Sequence, residues 1–505
     1  MNRYIPFTQH CRLFWTVMLL FAAVWTALPA LLHTGYRNDV CEEQILAADW
    51  DWGFKKHPCS PMWILEIVNI ATHRSFAAPF IASQLCAIIA VWSVWQTART
   101  VLPEKLSLAA AFSVLPYKLF TTESVLYNHN TTLIAFWCLS VYCVVKSFQT
   151  NKYRYWTAAG AALALAFHSK YAALFLVLSI LFYMIVRSEG RKYWKTPGPY
   201  LTMSVAFALF LPHIVWLFHN NFSPLYYAGR RPPFTSGWQY ITEPLRFAGS
   251  QCLFLIPVVI VLFPLFGFKW KVNNRLSPPQ QECEKLLFYC FAVPLVLHIC
   301  YIIVKGVDLR SVFGACFWLF TGLWLLLRFQ IPQVIPDASR SSRREKNHFR
   351  NVFLMLLFVQ CCIIGGWLTV FFSGKQPSYC YYPSKQLSEE CERVWKEKEY
   401  GRCPCIGGEH FLAGHAAFLM KERPFVEIVT RMYGHNAVNE HGGLVLWDAE
   451  SAPANTIPPD IQHRYPKIKY VKSVELPYQK YYEHSPLHAG IGIVPPPRQR
   501  STGKK

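Results

Sequence analysis

The strongest constraint on this chain is a series of apolar blocks long enough to approach the ~30 Å hydrocarbon core of a bilayer. Hydropathy distinguishes about eleven of them. They are Leu13–His33, Phe76–Gln96, Leu106–Thr122, Leu133–Val145, Trp156–His168, Ala172–Val186, Tyr200–Phe218, Cys252–Phe268, Leu286–Val304, Val312–Leu327 and Phe349–Phe372. Backbone polar groups must be paired within lipid, so such blocks are expected to be helices. The sequence therefore predicts a mainly α-helical, polytopic membrane protein.

The loops between these blocks differ in charge. If the N-terminus is cytoplasmic, the inner loops are rich in Lys and Arg, as in the run of Arg340, Arg343, Arg344 and Lys346. The outer loops carry far fewer basic residues, and this positive-inside bias sets the predicted orientation. An odd number of spans then places the chain from Ser373 onwards on the outer side of the membrane.

The formal net charge of +21 does not indicate a nucleic-acid partner. The basic residues mostly flank apolar blocks and form no face interleaved with base-stacking aromatics. We therefore expect the membrane, and not nucleic acid, to be the partner of this charge.

The composition changes after the last apolar block, where charged residues return. The stretches FVEIV and GGLVLWDAE predict short buried strands, and EECERVWKEKEY predicts an exposed helix. We expect a transmembrane domain over residues 1–373 with its first periplasmic loop at 34–75, a periplasmic α/β domain over 374–490 and a disordered tail over 491–505.

The first outer loop begins with three acidic residues, Asp39, Glu42 and Glu43. If this stretch is helical, the spacing places all three carboxylates on one face. A carboxylate cluster beside a membrane suits general-base chemistry, or the binding of a cation or a sugar hydroxyl. The alternative is a solvated acidic helix end, with Asp39 as an ordinary N-cap.

Basic residues follow in the same loop, where Lys56 and His57 precede Pro58. A compact positive site at the membrane interface suits a phosphate or pyrophosphate group. The alternative is anchoring to lipid headgroups by Lys and the nearby Trp residues.

The stretch from Asp39 to Trp63 resembles the first periplasmic loop of the GT-C glycosyltransferases related to protein O-mannosyltransferases and the lipid A aminoarabinose transferase. The pattern D-x11-DWGFKKHP carries the likeness, with Asp39 in the place of the leading Asp. NHNTTLIAFWCLSVY, ALALAFHSKYAALFLV and PHIVWLFHNNFSPLYYA are also similar to that family. IGGEHFLAGHAAFLMKERPFVEI resembles a periplasmic extension found in one bacterial branch.

The resemblance implies a GT-C fold and an inverting transfer of a sugar from a polyprenyl-phosphate donor. The implied acceptor is an envelope glycolipid or polysaccharide at the periplasmic face. Asp39 inherits the role of the base that activates the acceptor. Such a reaction needs a base on one side and cationic stabilisation of the departing phosphate on the other.

The sequence departs from the family pattern in three places. Val40 replaces the second acid of a common Asp-Glu pair, so that role falls to Glu42 or Glu43 or is absent. Lys56 replaces a Glu that helps bind a metal in aminoarabinose transferases, which argues against the same metal site. Asn128, His129 and Asn130 replace a Thr-Pro-Asp motif, implying a neutral lining for sugar hydroxyls; a plain polar turn is the alternative.

Three further cations are candidate binding residues. Lys170 lies in a short outer turn between two spans, where a cation is usually paired or functional unless it snorkels to the interface. Lys305 and Arg310 flank another outer turn and could contact a lipid phosphate. His213 and His219 could bind a divalent metal, but no third ligand is visible and no cofactor is predicted firmly.

Six cysteines fall in segments predicted to be periplasmic: Cys41, Cys59, Cys380, Cys391, Cys403 and Cys405. An oxidising compartment favours disulfides, with Cys41 and Cys59 able to clamp the first loop. The four in the C-terminal segment allow three pairings, and a zinc site is the alternative.

Two other function classes are compatible with a polytopic protein. A lipid or glycan transporter, or flippase, would need charges in mid-span or paired broken helices, and few such charges are present. A structural or assembly protein would use its C-terminal segment as a binding module. Both would lack transferase chemistry.

Overall fold

The computed structural model describes residues 9–268, 270–331, 341–428, 434–451, 453, 455–483 and 485–497, with the backbone alone for 341–347. The described chain is mainly helical and carries one five-stranded sheet near its C-terminal end. The predicted class, a polytopic helical domain with a C-terminal α/β domain, is confirmed.

The helices, in chain order, are α1 Gln9–Leu32, α2 Asn38–Leu46, α3 Ser60–Ala71, α4 Ala78–Arg99, α5 Glu104–Phe112, α6 His129–Thr150, α7 Tyr153–Ser169, α8 Ala173–Val186, α9 Ser188–Arg191, α10 Gly198–His219, α11 Ser223–Gly229, α12 Gln239–Phe266, α13 Pro278–Lys305, α14 Thr321–Arg328, α15 Ser341–Phe372, α16 Ser384–Lys396, α17 His410–Leu419, α18 Ala437–His441 and α19 Pro459–Arg464. Short 3-10 helices cover Ala47–Asp49, Lys118–Phe120, Lys192–Lys195, Ser311–Phe320, Ser378–Tyr381 and Ala449–Ser451. The strands are β1 Cys405–Gly408, β2 Phe425–Val426, β3 Gly443–Asp448, β4 Lys469–Leu476 and β5 Leu487–Val494.

Every predicted apolar block overlaps a helix, but not every such helix can cross a bilayer alone. In the part of the chain that the structure describes, eight helices are long and apolar enough, or nine if α8 and Ser188–Lys195, bent by 100°, form one span. The helix α5 has only 9 residues, which is about 14 Å at 1.5 Å per residue. The count of eleven spans is therefore not confirmed, because hydropathy cannot show where a helix breaks.

The chain forms two compact units. Unit 1 comprises Met1–Leu28, Lys56–Pro61 and Thr72–Gly366, and unit 2 comprises Pro29–Lys55, Met62–Ala71 and Trp367–Lys505. The first outer loop, which the sequence analysis placed wholly in the membrane domain, is thus divided between the units. Asp39 belongs to unit 2, whereas Lys56 and His57 belong to unit 1.

Unit 1 is a bundle in which α6 packs against α4 and α7, and α7 packs against α10. Aromatic side chains fill its interior, as where Phe14 stacks on Trp95 with ring centroids 4.1 Å apart. A glycine permits close approach of α7 and α10, since a Cβ at Gly160 would lie 2.6 Å from the carbonyl oxygen of Thr202. This packing fixes the helix ends that carry the candidate site.

The sheet of unit 2 has the strand order β2-β1-β3-β5-β4. β1 runs parallel to β2 and β3, while β5 is antiparallel to β3 and β4. The predictions of a strand at GGLVLWDAE and a helix at EECERVWKEKEY agree with β3 and α16, and FVEIV contains β2. β5 continues to Val494, so the predicted tail does not begin at residue 491; residues 498–505 lie outside the described residues.

Candidate functional site

A cluster of basic and polar side chains forms in unit 1 where the loop before α3 meets α6. The imidazole of His57 stacks on that of His129, with ring centroids 3.8 Å apart. The rings of Tyr227 and His57 are nearly perpendicular with centroids 5.9 Å apart, and the ammonium of Lys56 lies 5.8 Å from the centre of the same tyrosine ring. Two of the residues predicted to bind phosphate are therefore held beside the predicted Asn-His-Asn motif.

That motif is the N-terminus of α6. Asn128 is the N-cap, and its Oδ1 accepts a hydrogen bond of 2.9 Å from the backbone N–H of Asn130. The Nδ2 of Asn130 lies 3.2 Å from Nε2 of His129, so the two side chains hold each other. Oδ1 of Asn130 also accepts a 2.6 Å hydrogen bond from Nζ of Lys170, so the motif is tied to the turn after α7.

Lys170 joins this cluster from the turn between α7 and α8. Its ammonium also lies 4.0 Å from the centre of the Phe313 ring, and the guanidinium carbon of Arg231 lies 4.8 Å from the same ring centre. Burial lowers the pKa of Lys170 to about 7; Arg231 adds to this effect and Cys316 opposes it. A bound anion would favour the charged form of Lys170.

His57 is uncharged near neutral pH. Burial, followed by the charges of Lys170 and Lys56, lowers the pKa of His57 to about 3. A neutral imidazole donates one hydrogen bond from the nitrogen that carries the proton and accepts one at the other nitrogen. His57 therefore contributes hydrogen bonding, and the positive charge comes from the lysines and Arg231.

Residues of the same loop fix its position against α7. The Sγ of Cys59 lies 3.2 Å from Nδ1 of His168, and the hydroxyls of Ser60 and Ser169 are 2.8 Å apart. These contacts hold the loop segment beside the helix that ends at Lys170. The cluster is thus built on rigid elements.

Unit 2 carries the acidic candidates on α2. Asp39 is exposed, Glu42 is half-buried and Glu43 is buried, so the three carboxylates do not share one environment. The alternative reading of Asp39 as the N-cap is wrong, since Arg37 is the N-cap and α2 begins at Asn38. Within the described residues, no hydrogen bond or ion pair engages the Asp39 carboxylate, which leaves it open to a substrate.

The remaining cationic and histidine candidates do not join the cluster. Lys305 and Arg310 are exposed at the end of α13 and just before Ser311–Phe320, and no contact in the described part of the chain links them to Lys170. His213 shares a 2.8 Å hydrogen bond with the hydroxyl of Tyr171.

The described residues do not fit a metal site. They contain no group of three or more His, Cys, Asp or Glu side chains that could hold an ion. The proposed pair of His213 and His219 is therefore not supported as a metal site.

The predicted disulfides are also corrected. All six candidate cysteines are thiols, and all are buried. Cys41 and Cys59 contact histidines, with the Sγ of Cys41 3.8 Å from Nδ1 of His415. Cys403 donates to the carbonyl oxygen of Cys405 at 3.4 Å. Burial, followed by Cys403, raises the pKa of Cys391, so its thiol stays protonated.

Arg231 belongs to the cluster but was not among the site residues predicted from the sequence. It lies between α11 and α12, in an Arg-Arg pair that follows a run of aromatic residues. That pair was the available signal, but only the folded loop shows that Arg231 shares the Phe313 ring with Lys170.

Comparison with known proteins gives one family-model match and several structures of similar fold. The family model for dolichyl-phosphate-mannose-protein mannosyltransferases matches residues 56–216, which include the cluster residues Lys56, His57, Asn128, His129, Asn130 and Lys170. ArnT from Cupriavidus metallidurans bound to undecaprenyl phosphate has a similar structure, with a TM-score of 0.61 at 10% identity over 98% of this chain and 99% of ArnT. The chain therefore has the GT-C fold of ArnT.

The GT-C fold extends over almost the entire chain. ArnT from the same organism in the apo state gives a TM-score of 0.51 at 12% identity, covering 95% of this chain and 97% of that one. At such low identity the likeness shows the fold alone. The search of curated proteins found no significant sequence match to this chain.

Proposed function

We propose that this protein is an inverting glycosyltransferase that moves a sugar from a polyprenyl-phosphate donor to an envelope glycolipid or polysaccharide. The reaction takes place at the periplasmic face of the bacterial inner membrane, with the N-terminus in the cytoplasm and the C-terminal domain in the periplasm. The observation that carries this proposal is the convergence of Lys56, His57, Asn130 and Lys170 in unit 1.

The cluster is suited to the phosphate of the donor. Lys56 and Lys170 supply positive charge, and His57, His129 and Asn130 supply neutral hydrogen-bonding groups for phosphate and sugar oxygens. The likeness to ArnT, whose structure contains undecaprenyl phosphate, supports a lipid phosphate in this fold. These cations would stabilise the phosphate as it leaves.

Asp39 is the proposed base. The acceptor hydroxyl oxygen attacks the anomeric carbon, and its proton passes to the Asp39 carboxylate. The bond from the anomeric carbon to the phosphate oxygen breaks, and polyprenyl phosphate departs with the electron pair. Attack opposite the leaving group inverts the anomeric centre. Glu42 is the nearest acid along α2 that can assist, since Val40 has no charge.

The decisive experiment uses the purified full chain in lipid nanodiscs with isotopically labelled polyprenyl-phosphate sugars and a panel of envelope glycans. Wild-type protein should transfer label, and Asp39→Asn should lose at least 100-fold in turnover while retaining donor binding. Asp49→Asn, an equivalent change in the same loop, serves as the matched control and should stay active.

Two results would overturn the proposal. Full activity of Asp39→Asn would remove the assigned base. Movement of a labelled lipid across vesicles by the wild type, with no covalent product from any donor, would favour the flippase alternative.

A further inference from the structure

The segment that leads into α2 is attached to the C-terminal domain within unit 2. The backbone N–H of Thr34 donates to the carbonyl oxygen of Cys380 at 2.9 Å. Gly35 is packed so tightly that an added Cβ would lie 2.7 Å from Cβ of Tyr382 and 3.1 Å from Nε2 of His415. This part of the first loop therefore has little freedom to move relative to the C-terminal domain.

His415 on α17 makes the central contact. Its Nδ1 lies 2.8 Å from the carbonyl oxygen of Phe411, which can only accept, so Nδ1 carries the proton. Its Nε2 is then free to accept the backbone N–H of Tyr36 at 2.9 Å. The imidazole is buried, and burial lowers its pKa to about 4, which keeps it in this neutral form.

A second histidine of α17 holds α2 directly. Nε2 of His410 lies 2.7 Å from Oδ1 of Asn38, the residue before Asp39. One turn further along, Gly414 faces Cys41 so closely that a Cβ would lie 2.4 Å from the Cys41 sulfur. The two helices therefore pack at van der Waals distance on both sides of Asp39.

The contacts of His410 and His415 hold the N-terminal end of α2, where Asp39 lies, while the other end is held by a 2.8 Å hydrogen bond from Nδ2 of Asn69 to Oε1 of Gln44. The side chain is exposed, and α2 has only 9 residues, too few for a helix to be stable alone in water. A general base must lie within hydrogen-bond reach of the proton it takes. Misplacement by about 1 Å can reduce turnover about 100-fold.

We propose that His410 and His415 are positioning residues for Asp39. The C-terminal α/β domain then contributes to the transfer reaction by holding the base in place, and does not serve only as a binding module. This inference rests on the proposed function, since it takes Asp39 as the base. It assigns a role to the IGGEHFLAGH motif, which contains both histidines and which the donor cluster does not use.

The test compares paired substitutions in the full chain. His415→Gln keeps an acceptor for the Tyr36 N–H, whereas His415→Leu removes it; His410→Gln keeps a donor for Asn38, whereas His410→Leu removes it. We expect each Leu variant to lower kcat 10- to 100-fold with the donor KM within about threefold of wild type. Each Gln variant should recover most of the activity.

Hydrogen–deuterium exchange supplies a readout that does not need activity. Amides of residues 36–46 should exchange faster in both Leu variants than in wild type, while exchange in α6 stays unchanged. His410→Leu is the safeguard if His415→Leu does not fold, because His410 lies nearer the surface.

The outcomes separate the two proposals. If Asp39→Asn is inactive but both Leu variants keep wild-type kcat, the positioning role is refuted and the base assignment stands. If the Leu variants raise the donor KM instead of lowering kcat, the histidines serve donor binding and the inference is likewise refuted. If Asp39→Asn is fully active, Asp39 is not the base, and the positioning role is refuted together with that assignment.

Discussion

The ammonium of Lys170 donates a 2.6 Å hydrogen bond to Oδ1 of Asn130, joining the turn after α7 to the N-terminus of α6. The two residues are 40 positions apart in the sequence. Asn130 accepts without neutralising the charge, so Lys170 remains available to an anion. The partly charged state of this lysine near neutral pH gives the cluster two measurable properties.

The first property is affinity for a lipid phosphate. Lys170→Gln should weaken binding of a fluorescent short-chain polyprenyl phosphate about 10- to 100-fold, because a charge-assisted hydrogen bond contributes roughly 1.5–3 kcal/mol. Lys152→Gln is the matched control, since Lys152 is exposed at the opposite end of α7. Equal affinities for the two variants, measured in nanodiscs, would exclude Lys170 from the phosphate site.

The second property is a pH dependence of that affinity. The pKa of Lys170 is lowered to about 7, so the unliganded side chain loses its proton as pH rises through 7. Binding of polyprenyl phosphate should therefore weaken between pH 6 and pH 9. Lys170→Arg, which stays charged throughout, should flatten this part of the profile. A wild-type profile that is flat over the same range would contradict the prediction.

The sequence indicates several residues of this site, but it does not show which of them come into contact in the folded chain. Lys170 can be singled out because it is a cation in a short turn between two apolar blocks. Asn130 can be singled out because Asn-His-Asn replaces the motif expected from the resemblance. Arg231 was missed because only the folded loop brings it to Phe313. The contact between Tyr36 and His415 spans 379 positions, and no local pattern encodes such a pairing.

Other predictions from the sequence were wrong or missing because they, too, depend on how the chain packs. An oxidising compartment favours disulfides, but geometry decides them, and the thiols of Cys41 and Cys59 contact imidazoles instead. Asp39 has the residue type of an N-cap, yet α2 starts one residue earlier. The strands β4 and β5 were not predicted because β4 is largely half-exposed and β5 contains two glycines.

Acid should loosen the attachment of α2 to the C-terminal domain. The pKa of His415 is about 4 in the folded protein, below the ordinary 6.5. Between these values the unfolded chain binds more protons, so the stabilisation is complete above pH 6.5 and is lost as pH falls through 4. The lowered pKa corresponds to roughly 3 kcal/mol.

Limited proteolysis of residues 34–46 between pH 7 and pH 4.5 measures this effect. Cleavage should accelerate at the lower pH in wild type and change less in His415→Gln, whose amide does not titrate in this range. His33 and His57 have pKa values lowered in the same direction, so the comparison with His415→Gln, and not the slope of wild type alone, identifies the group. Identical pH profiles for the two proteins would exclude His415.

The helix bundle of unit 1 should be sensitive to added volume at Gly160. A Cβ there would lie 2.6 Å from the carbonyl oxygen of Thr202 and 2.9 Å from Cβ of Val205, so α7 and α10 would have to separate. Gly160→Ala should destabilise the protein by about 1–3 kcal/mol, lowering Tm in detergent by several degrees. Gly249→Ala is the matched control, because Gly249 lies within α12 and a Cβ there would meet nothing within 4 Å. Since Lys170 directly follows the last residue of α7, displacement of this helix should also weaken lipid-phosphate binding in Gly160→Ala, whereas binding by Gly249→Ala should be unchanged. Equal Tm values for the two variants would show that α7 and α10 accommodate the added methyl group. Unchanged lipid-phosphate binding in Gly160→Ala would show that their contact does not hold Lys170 in place.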